Sequence, residues 1–383
     1  MSTKIAIIRQ EQTGGDGGAE AIIDIILEVL GAESRVNVSL LCRRWNIETN
    51  DNRKIILNPL HLGRTLKYTT FVKAVKKHLK THQYDLTQSH ERLTGCDIFR
   101  AGDGVHKVWL QQKAKQLNPV SRWLLYKQPF HKTLMSEEKK MFESNQLKAV
   151  ICNSEMVGNE ILEHFDISPE KVHIIYNGVD IKQFNPNNKI NVKQIRRTLN
   201  VPEKCTLFIF PGSGFERKNL ASVIHALSQL PENTHLIVAG RDKRQRRYEN
   251  LVKKTNTRNR VHFLGAINKK DMPGIYAAAD VLVLPTLYDP FPNVILEGMA
   301  TGLPCITSHK CGAAAIIKKE NAGQVVDALN INELAEAMTI YLSRKARERS
   351  GLSARKTAEN FTTQAMQKKL LSLYQSIIEK PSR

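Results

Sequence analysis

Several features that would assign this chain to a specialised class are missing. No stretch of its 383 residues reaches the ~18–20 consecutive apolar residues of a membrane-spanning helix. The amino terminus, MSTKIAIIRQEQ, lacks the apolar core and small-residue cleavage site of a secretory signal, so a cytoplasmic protein is expected. Six cysteines (42, 96, 152, 205, 305 and 311) form no CxxC pair, which excludes a zinc ribbon and argues for reduced, buried thiols rather than a disulfide framework. Acids are also scarce. Thirty-seven Asp and Glu face 57 Lys and Arg, a net charge of +20 that calls for an anionic partner without naming it. No helix-turn-helix, zinc finger or RNP-type signature accompanies this charge, so nucleic acid is not the expected partner.

What is present is a regular alternation of apolar runs and helical stretches. Strands are expected at 4–10, 35–42, 54–58, 149–154 and 172–179, and again at 206–212, 235–240, 261–265, 281–285 and 304–308. Continuous apolar strands separated by helices imply parallel sheets covered on both faces. At 383 residues the chain exceeds a single core, and the polar stretch 181–199 offers a linker. The reading is an α/β protein of two facing, doubly wound, Rossmann-like domains with a cleft between them at the carboxyl ends of the strands. The first domain spans 1–185 and the second 186–361. The last helical stretch, within 362–383, is a candidate to pack back on the first, a placement that the sequence alone leaves open.

Three segments carry chemistry. Gly14-Gly15-Asp16-Gly17-Gly18-Ala19-Glu20 follows the first strand and reads either as a tight surface turn or as a loop where backbone amides meet an anion. Gly212-Ser213-Gly214-Phe215-Glu216-Arg217-Lys218 sets two adjacent cations after a strand and before a helix, an arrangement that suits a bound diphosphate and otherwise is a solvated basic turn. Asp289-Pro-Phe-Pro-Asn293-Val294-Ile-Leu-Glu297, followed by Gly302-Leu-Pro304, places one acid in a loop and another on the helix that follows it. The first can accept from sugar hydroxyls and the second from a ribose diol, while the amides between them can receive phosphate oxygens.

These residues resemble glycosyltransferase family 4, which has the GT-B fold. Its members carry an acid-x7-acid motif of the form EPFGxxxxEAMAxGxP, an Arg-Lys pair after the first strand of the second domain, and a Gly-Gly loop near the amino terminus. All three occur here in order, with Asp289 in place of Glu and Pro292 where Gly is usual. A narrower resemblance, over Ser89 to His106, is to the lipopolysaccharide core glycosyltransferases of the heptose glucosyltransferase type, whose PGLDVYFAAD stretch matches Asp97 and Asp103.

The resemblance implies a retaining hexosyltransferase that uses a nucleotide-sugar, expected to be a UDP-sugar such as UDP-glucose, and a lipopolysaccharide core acceptor. It implies donor contacts at Gly17, Gly18, Gly214, Arg217, Lys218, Asn293, Val294 and Glu297, with Arg241 and Phe263 bordering the base. Asp103, His106, Arg217, Lys218 and Asp289 are the implied catalytic group, and Glu20, Asp97 and Arg100 the acceptor contacts. Retention in such folds is ascribed to front-face attack assisted by the leaving phosphate, so no protein nucleophile is expected. With no D-x-D triplet in the chain, no cofactor and no metal are expected either. Other polysaccharide or glycolipid acceptors remain open, as does a non-catalytic basic binding protein. Residues 53–80 hold eight Lys and Arg, and 107–132 six together with Trp109 and Trp123; neither segment contains an acid. Such a segment reads as an ordinary basic surface helix or as a helix lying on the anionic inner face of the inner membrane, the peripheral site where the resemblance places the enzyme.

Overall fold

The computed structural model describes residues 3–12, 18–31, 36–45, 53–187 and 192–379. The chain forms two compact units, Met1–Tyr176 with Met366–Arg383, and Asn177–Ala365.

In the first unit the strands are β1 (Thr3–Ile8), β2 (Glu11–Gln12), β3 (Val36–Cys42), β4 (Arg44–Trp45), β5 (Lys54–Ile56), β6 (Leu86–Ser89), β7 (Ile98–Arg100), β8 (Ala149–Cys152) and β9 (Val172–Ile174). Among the described residues seven of them make one parallel sheet in the order β5-β3-β1-β6-β7-β8-β9, while β2 and β4 pair separately. Strand β1 shows why its sequence is apolar throughout. Successive side chains point to opposite faces of a sheet, and here both faces are covered. Ile5 and Ile7 pack with Ile22, Ile23 and Ile26 of the helix Gly18–Gly31. Ala6 and Ile8 pack with Tyr68, Phe71, Val72 and Val75 of the helix Gly63–Thr81. Each such large side chain contributes about 1.5–3 kcal/mol on burial.

The first core also takes in the end of the chain. Met366, Leu370, Leu373 and Tyr374 recur at helical spacing along Thr363–Ile378 and join the Ile5–Ile7 cluster. The Tyr374 hydroxyl donates to Gln88 Oε1 at 2.6 Å, so the one buried polar group on this face of the helix has a partner in β6.

The second unit contains β10 (Thr206–Pro211), β11 (Thr234–Ala239), β12 (Val261–Gly265), β13 (Val281–Leu284), β14 (Cys305–Ser308) and β15 (Gly323–Val326). They form a parallel sheet in the order β12-β11-β10-β13-β14-β15. The chain builds outward from β10 through β11 to β12, then returns to place β13 on the other side of β10. The loops leaving β10 and β13 therefore diverge, and the crevice between them at the carboxyl ends of the strands is where such sheets bind ligands.

Three expectations need correction. The strand foreseen over 172–179 ends at Ile174. The stretch 181–199, read as the linker between domains, falls within the second unit. It carries a helix, Val192–Thr198, and Arg355 Nη1 fastens its start by donating to the carbonyls of Ile181 (3.3 Å), Phe184 (3.1 Å) and Ala300 (2.8 Å). Segment 107–132 is not one surface helix. It divides among His106–Ala114, Pro119–Lys127 and Pro129–Phe142, with breaks where prolines are accepted only at the first helical position. All six cysteines are free thiols, as their spacing suggested.

Because Leu370 is completely buried against β1, Leu370→Ala should destabilise the first unit by about 2–5 kcal/mol. Urea unfolding followed by circular dichroism measures this; an unchanged midpoint would show that the last helix contributes nothing to that core.

Candidate functional site

In the second unit the loop after β10 is built around a lysine. Gly212 has φ +108°, and a Cβ there would lie 2.5 Å from Lys218 Nζ, so only glycine admits both the backbone turn and the ammonium. The loop is tightly fixed. Phe215 N donates to Asp242 Oδ2 at 2.9 Å and Lys218 N to Gly214 O at 3.1 Å. The Phe215 ring is fully buried, edge-on to Phe210 and Tyr248. Asn219, in the left-handed region at φ 63°, donates through Nδ2 to Ala328 O at 2.5 Å and starts the helix Leu220–Ser228.

Lys218 itself is 6% exposed. Among the described residues its ammonium makes one hydrogen bond, to Pro211 O at 3.4 Å, and no carboxylate lies within ion-pair distance. Burial lowers its pKa, and the charge of Asp289 partly opposes that. An ammonium has three donors, so this group is desolvated and under-coordinated, which favours an incoming anion.

The loop after β13 forms the other wall. Leu287 N (2.9 Å) and Thr286 Oγ1 (3.2 Å) both donate to Arg217 O, tying the two loops together. Asp289 is held on both sides, its N–H on Lys310 O (3.0 Å) and its carbonyl accepting from Gly312 N (2.9 Å). Its carboxylate accepts from Arg217 Nη1 at 2.6 Å. The two residues assigned from the sequence to the diphosphate and to the sugar are thus paired with each other, with Asp289 buried and Arg217 half-exposed.

The helix Asn293–Ala300 follows at once. Pro292 enters it in extended conformation and offers no N–H, and Ile295 N is taken by Pro292 O at 3.0 Å. The amides of Asn293 and Val294 have no hydrogen-bond partner among the described residues. One turn on, Glu297 Oε2 accepts from the Tyr276 hydroxyl at 2.8 Å. Burial raises the Glu297 pKa, and the Tyr276 hydrogen bond, Lys269 and Lys218 pull it back down. On the β11 side, Arg241 N donates to Ser213 Oγ at 3.3 Å while its side chain stays exposed, and the Phe263 ring lies 6.4 Å from that of Phe215. Gly214, Arg217, Lys218, Arg241, Phe263, Asp289, Asn293, Val294 and Glu297 therefore lie around the ends of β10, β11, β12 and β13.

The first unit treats its expected residues differently. Asp103 is exposed in the turn that follows β7 and Ala101. That turn is held by a buried ion pair: Arg92 Nε meets Glu138 Oε1 at 2.7 Å, and Arg92 Nη2 donates to Gly104 O at 2.8 Å. His106 is buried, with Nε2 3.1 Å from His131 Nδ1 and its ring stacked on Trp109. Burial, with Arg92 and His131 adding to it, lowers its pKa to about 3, so the ring is neutral. Arg100 is buried at the carboxyl end of β7, its pKa lowered to about 10 by burial. Asp97 stands just before β7, at the opposite end of that strand. Its carboxylate accepts from Thr87 N (2.8 Å), Thr87 Oγ1 (2.7 Å) and Lys148 Nζ (3.0 Å), which makes it a staple between β6 and β7. Gly17 lies outside the described residues, as does the loop from 13 to 17. Gly18 and Glu20 belong to the helix Gly18–Gly31.

Sequence reasoning missed Tyr276, Arg92 and Glu138. No local pattern links Tyr276 to a glutamate 21 positions away, whereas the Arg92–Glu138 pair joins a loop to a helix 46 positions on. Tyr276→Phe removes the hydrogen bond that favours ionised Glu297, so the Glu297 pKa should rise further. A carbon-detected NMR titration of the glutamate carboxyls measures it; an unmoved or lowered value would show that the phenol does not support the carboxylate.

Comparison with known proteins matches this arrangement. The family profile "Glycosyltransferase Family 4" matches residues 16–183 and "Glycosyl transferases group 1" matches residues 191–361. The lipopolysaccharide glucosyltransferase WaaG of Escherichia coli K12 is 30% identical over 270 residues, covering 69% of this chain and 68% of that protein. A crystal structure of WaaG, a glycosyltransferase involved in lipopolysaccharide biosynthesis, superposes with a TM-score of 0.81 at 23% identity, over 96% of this chain and 99% of that one. The Anabaena protein Alr3699/HepE in complex with UDP-glucose gives 0.74 at 18% identity, over 97% and 99%. With two parallel α/β sheets, matches along both units and a relative at this identity, the chain belongs to the group 1, family 4 glycosyltransferases, retaining enzymes of the GT-B fold.

Proposed function

We propose that the protein moves a hexose from a UDP-sugar to the lipopolysaccharide core. The observation that carries the donor half is Lys218, a buried ammonium with a single long hydrogen bond, taken together with the amides of Asn293 and Val294, unpartnered among the described residues, at the start of the helix after β13. A diphosphate supplies the acceptors that all of them lack. As the bond from the sugar to the phosphate breaks, charge builds on the leaving diphosphate, and preformed donors around it stabilise that change. Asp289, oriented by Arg217, accepts from hydroxyls of the sugar; Glu297, held by Tyr276, accepts from the ribose diol; Arg241 and Phe263 flank the base. In the first unit Asp103 is the exposed acid available to the acceptor. Arg100 and Glu20 join it as acceptor contacts, Gly17 and Gly18 are assigned to the nucleotide-sugar, and His106, whose backbone N–H donates to the Glu138 carboxylate, helps to hold the turn. The base and the acceptor are supported by the relatives: the Anabaena structure contains UDP-glucose, and WaaG acts in lipopolysaccharide biosynthesis.

The test is transfer from a panel of UDP-hexoses to lipopolysaccharide with a truncated core, read by mass spectrometry of the product. Transfer to that acceptor supports the proposal; donor turnover only with another glycolipid or polysaccharide moves the enzyme to a different acceptor class. Lys218→Met keeps the buried stem but removes the charge, and turnover should fall by ~10²–10³-fold with little change in melting temperature. Turnover near wild type would leave the lysine a structural role.

The acceptor is lipid-anchored, and the same reading puts the enzyme on the anionic inner face of the inner membrane. No helix among the described residues is long and apolar enough to cross it. On Pro119–Lys127, Trp123 is 60% exposed and Val120 and Leu124 are open beside it, with Lys127 over the Trp123 ring. Trp109, expected at the surface, instead packs against His106 and His131. Leu60 is 97% exposed at the tip before the basic helix Gly63–Thr81, and Arg64 of that helix stacks on Phe130 at 4.5 Å, joining the two basic segments. Wild type should co-sediment with anionic vesicles, less so as salt rises, since screening shortens the attraction to ~8 Å at 0.15 M. Changing Lys113, Lys115, Arg122 and Lys127 to Gln should reduce binding; equal sedimentation of the two proteins would exclude this stretch as the contact.

A further inference from the structure

Pro292 leaves the donor helix one amide short, and the next residue carries a side chain able to replace it. Asn293 Oδ1 accepts from Asn177 Nδ2 at 2.6 Å. A planar amide with its oxygen committed to one neighbour turns its NH2 the other way, and Asn293 Nδ2 has no partner among the described residues. Its carbon skeleton is half-buried on the same turn as the unpartnered amides of Asn293 and Val294.

Asn177 cannot readily move. It is buried, and the residues after it are laced to the later segment 361–363: Val179 N donates to Phe361 O at 2.9 Å and Thr363 N to Val179 O at 3.3 Å. Gly178 lies so close to this segment that a Cβ would meet Thr363 Cα at 2.5 Å and Thr362 O at 2.8 Å. The backbone that presents Asn177 is therefore set by a contact that only glycine allows.

We propose that Asn177 is a positioning residue: it fixes the Asn293 amide so that its NH2 donates to the diphosphate of the nucleotide-sugar, replacing the donor lost at Pro292. The inference rests on the donor assignment made above. It explains why proline is compatible with a diphosphate site at this position, and it makes the polarity of one side-chain pair a determinant of nucleotide affinity.

Reversing that polarity tests it. Asp at 177 has only acceptors, so Asn177→Asp would capture Asn293 Nδ2 and turn Oδ1 toward the phosphates. Calorimetric titration of the full chain with UDP, UMP and uridine compares wild type, Asn177→Ala, Asn177→Asp, Asn293→Ala and the two double variants. UDP affinity should drop several-fold in Asn177→Ala and about 10–100-fold in Asn177→Asp, the range for a hydrogen bond to a charged group, while uridine affinity stays the same. In the Asn293→Ala background the substitutions at 177 should lose most of their effect, leaving only the direct repulsion of the new carboxylate. Equal losses in both backgrounds, or a parallel loss for uridine, would overturn the proposal. If the variants at 177 fail to fold, Asn293→Ala decides alone: UDP binding like wild type overturns it. Failure of wild type to bind UDP would instead strike the donor assignment itself.

Discussion

Lys218 is removed from water, yet it has neither a carboxylate partner nor a full set of hydrogen bonds, and its neighbourhood is arranged to tolerate this. Gly212 leaves room for the ammonium, Asp289 supplies compensating charge without direct contact, and the β10 and β13 loops are bound to each other through Arg217 O. Isolated buried charge is unfavourable, so such a site is stable only if its walls are rigid and an anion completes it. The sheet topology provides the walls. Because β13 returns to the far side of β10, two loops from distant parts of the sequence meet over one crevice.

The two acids of the second unit illustrate how environment divides labour. Asp289 is buried against a guanidinium, and Glu297 is half-buried against a phenol. The first faces a full counter-charge at 2.6 Å. The second is held by a neutral donor while burial pushes its pKa up, which leaves it an acceptor whose proton affinity responds to what binds nearby. The two groups sit one behind the other along a single loop and helix, so one ligand can meet both.

Much of this was legible because it is local. Strands buried on both faces must be apolar throughout, so β1, β10, β11, β13 and β14 stand out in the sequence, and the loop residues after them follow in register. Gly214, Arg217, Lys218, Asp289, Asn293 and Glu297 sit within two short motifs whose positions at strand ends are fixed by the alternation itself. What depended on long-range packing was not legible. Asp97 lies only six residues from Asp103, yet a three-residue strand puts them at opposite ends of the sheet, and nothing in the motif shows which of them is consumed by Thr87 and Lys148. His106 looked available until His131 and Trp109 closed around it. The division of 107–132 was readable in Pro119 and Pro129, but the basic and aromatic pattern drew attention away from the prolines.

The last helix has a consequence for the order in which the molecule can assemble. During synthesis the strands of the first sheet emerge with the opening 176 residues, but Met366, Leu370, Leu373 and Tyr374, which close one face of that sheet, leave the ribosome only after the whole second unit has been made. At ~5–20 residues per second this interval is on the order of ten seconds or more. Throughout it, Ile5, Ile7 and Gln88 lack their final cover. The second unit, continuous in sequence from Asn177 to Ala365, has no such wait and can finish first, although it is translated later. The amino-terminal half of this protein is therefore the half whose cover is translated last, and the one that a nascent-chain chaperone has most reason to hold.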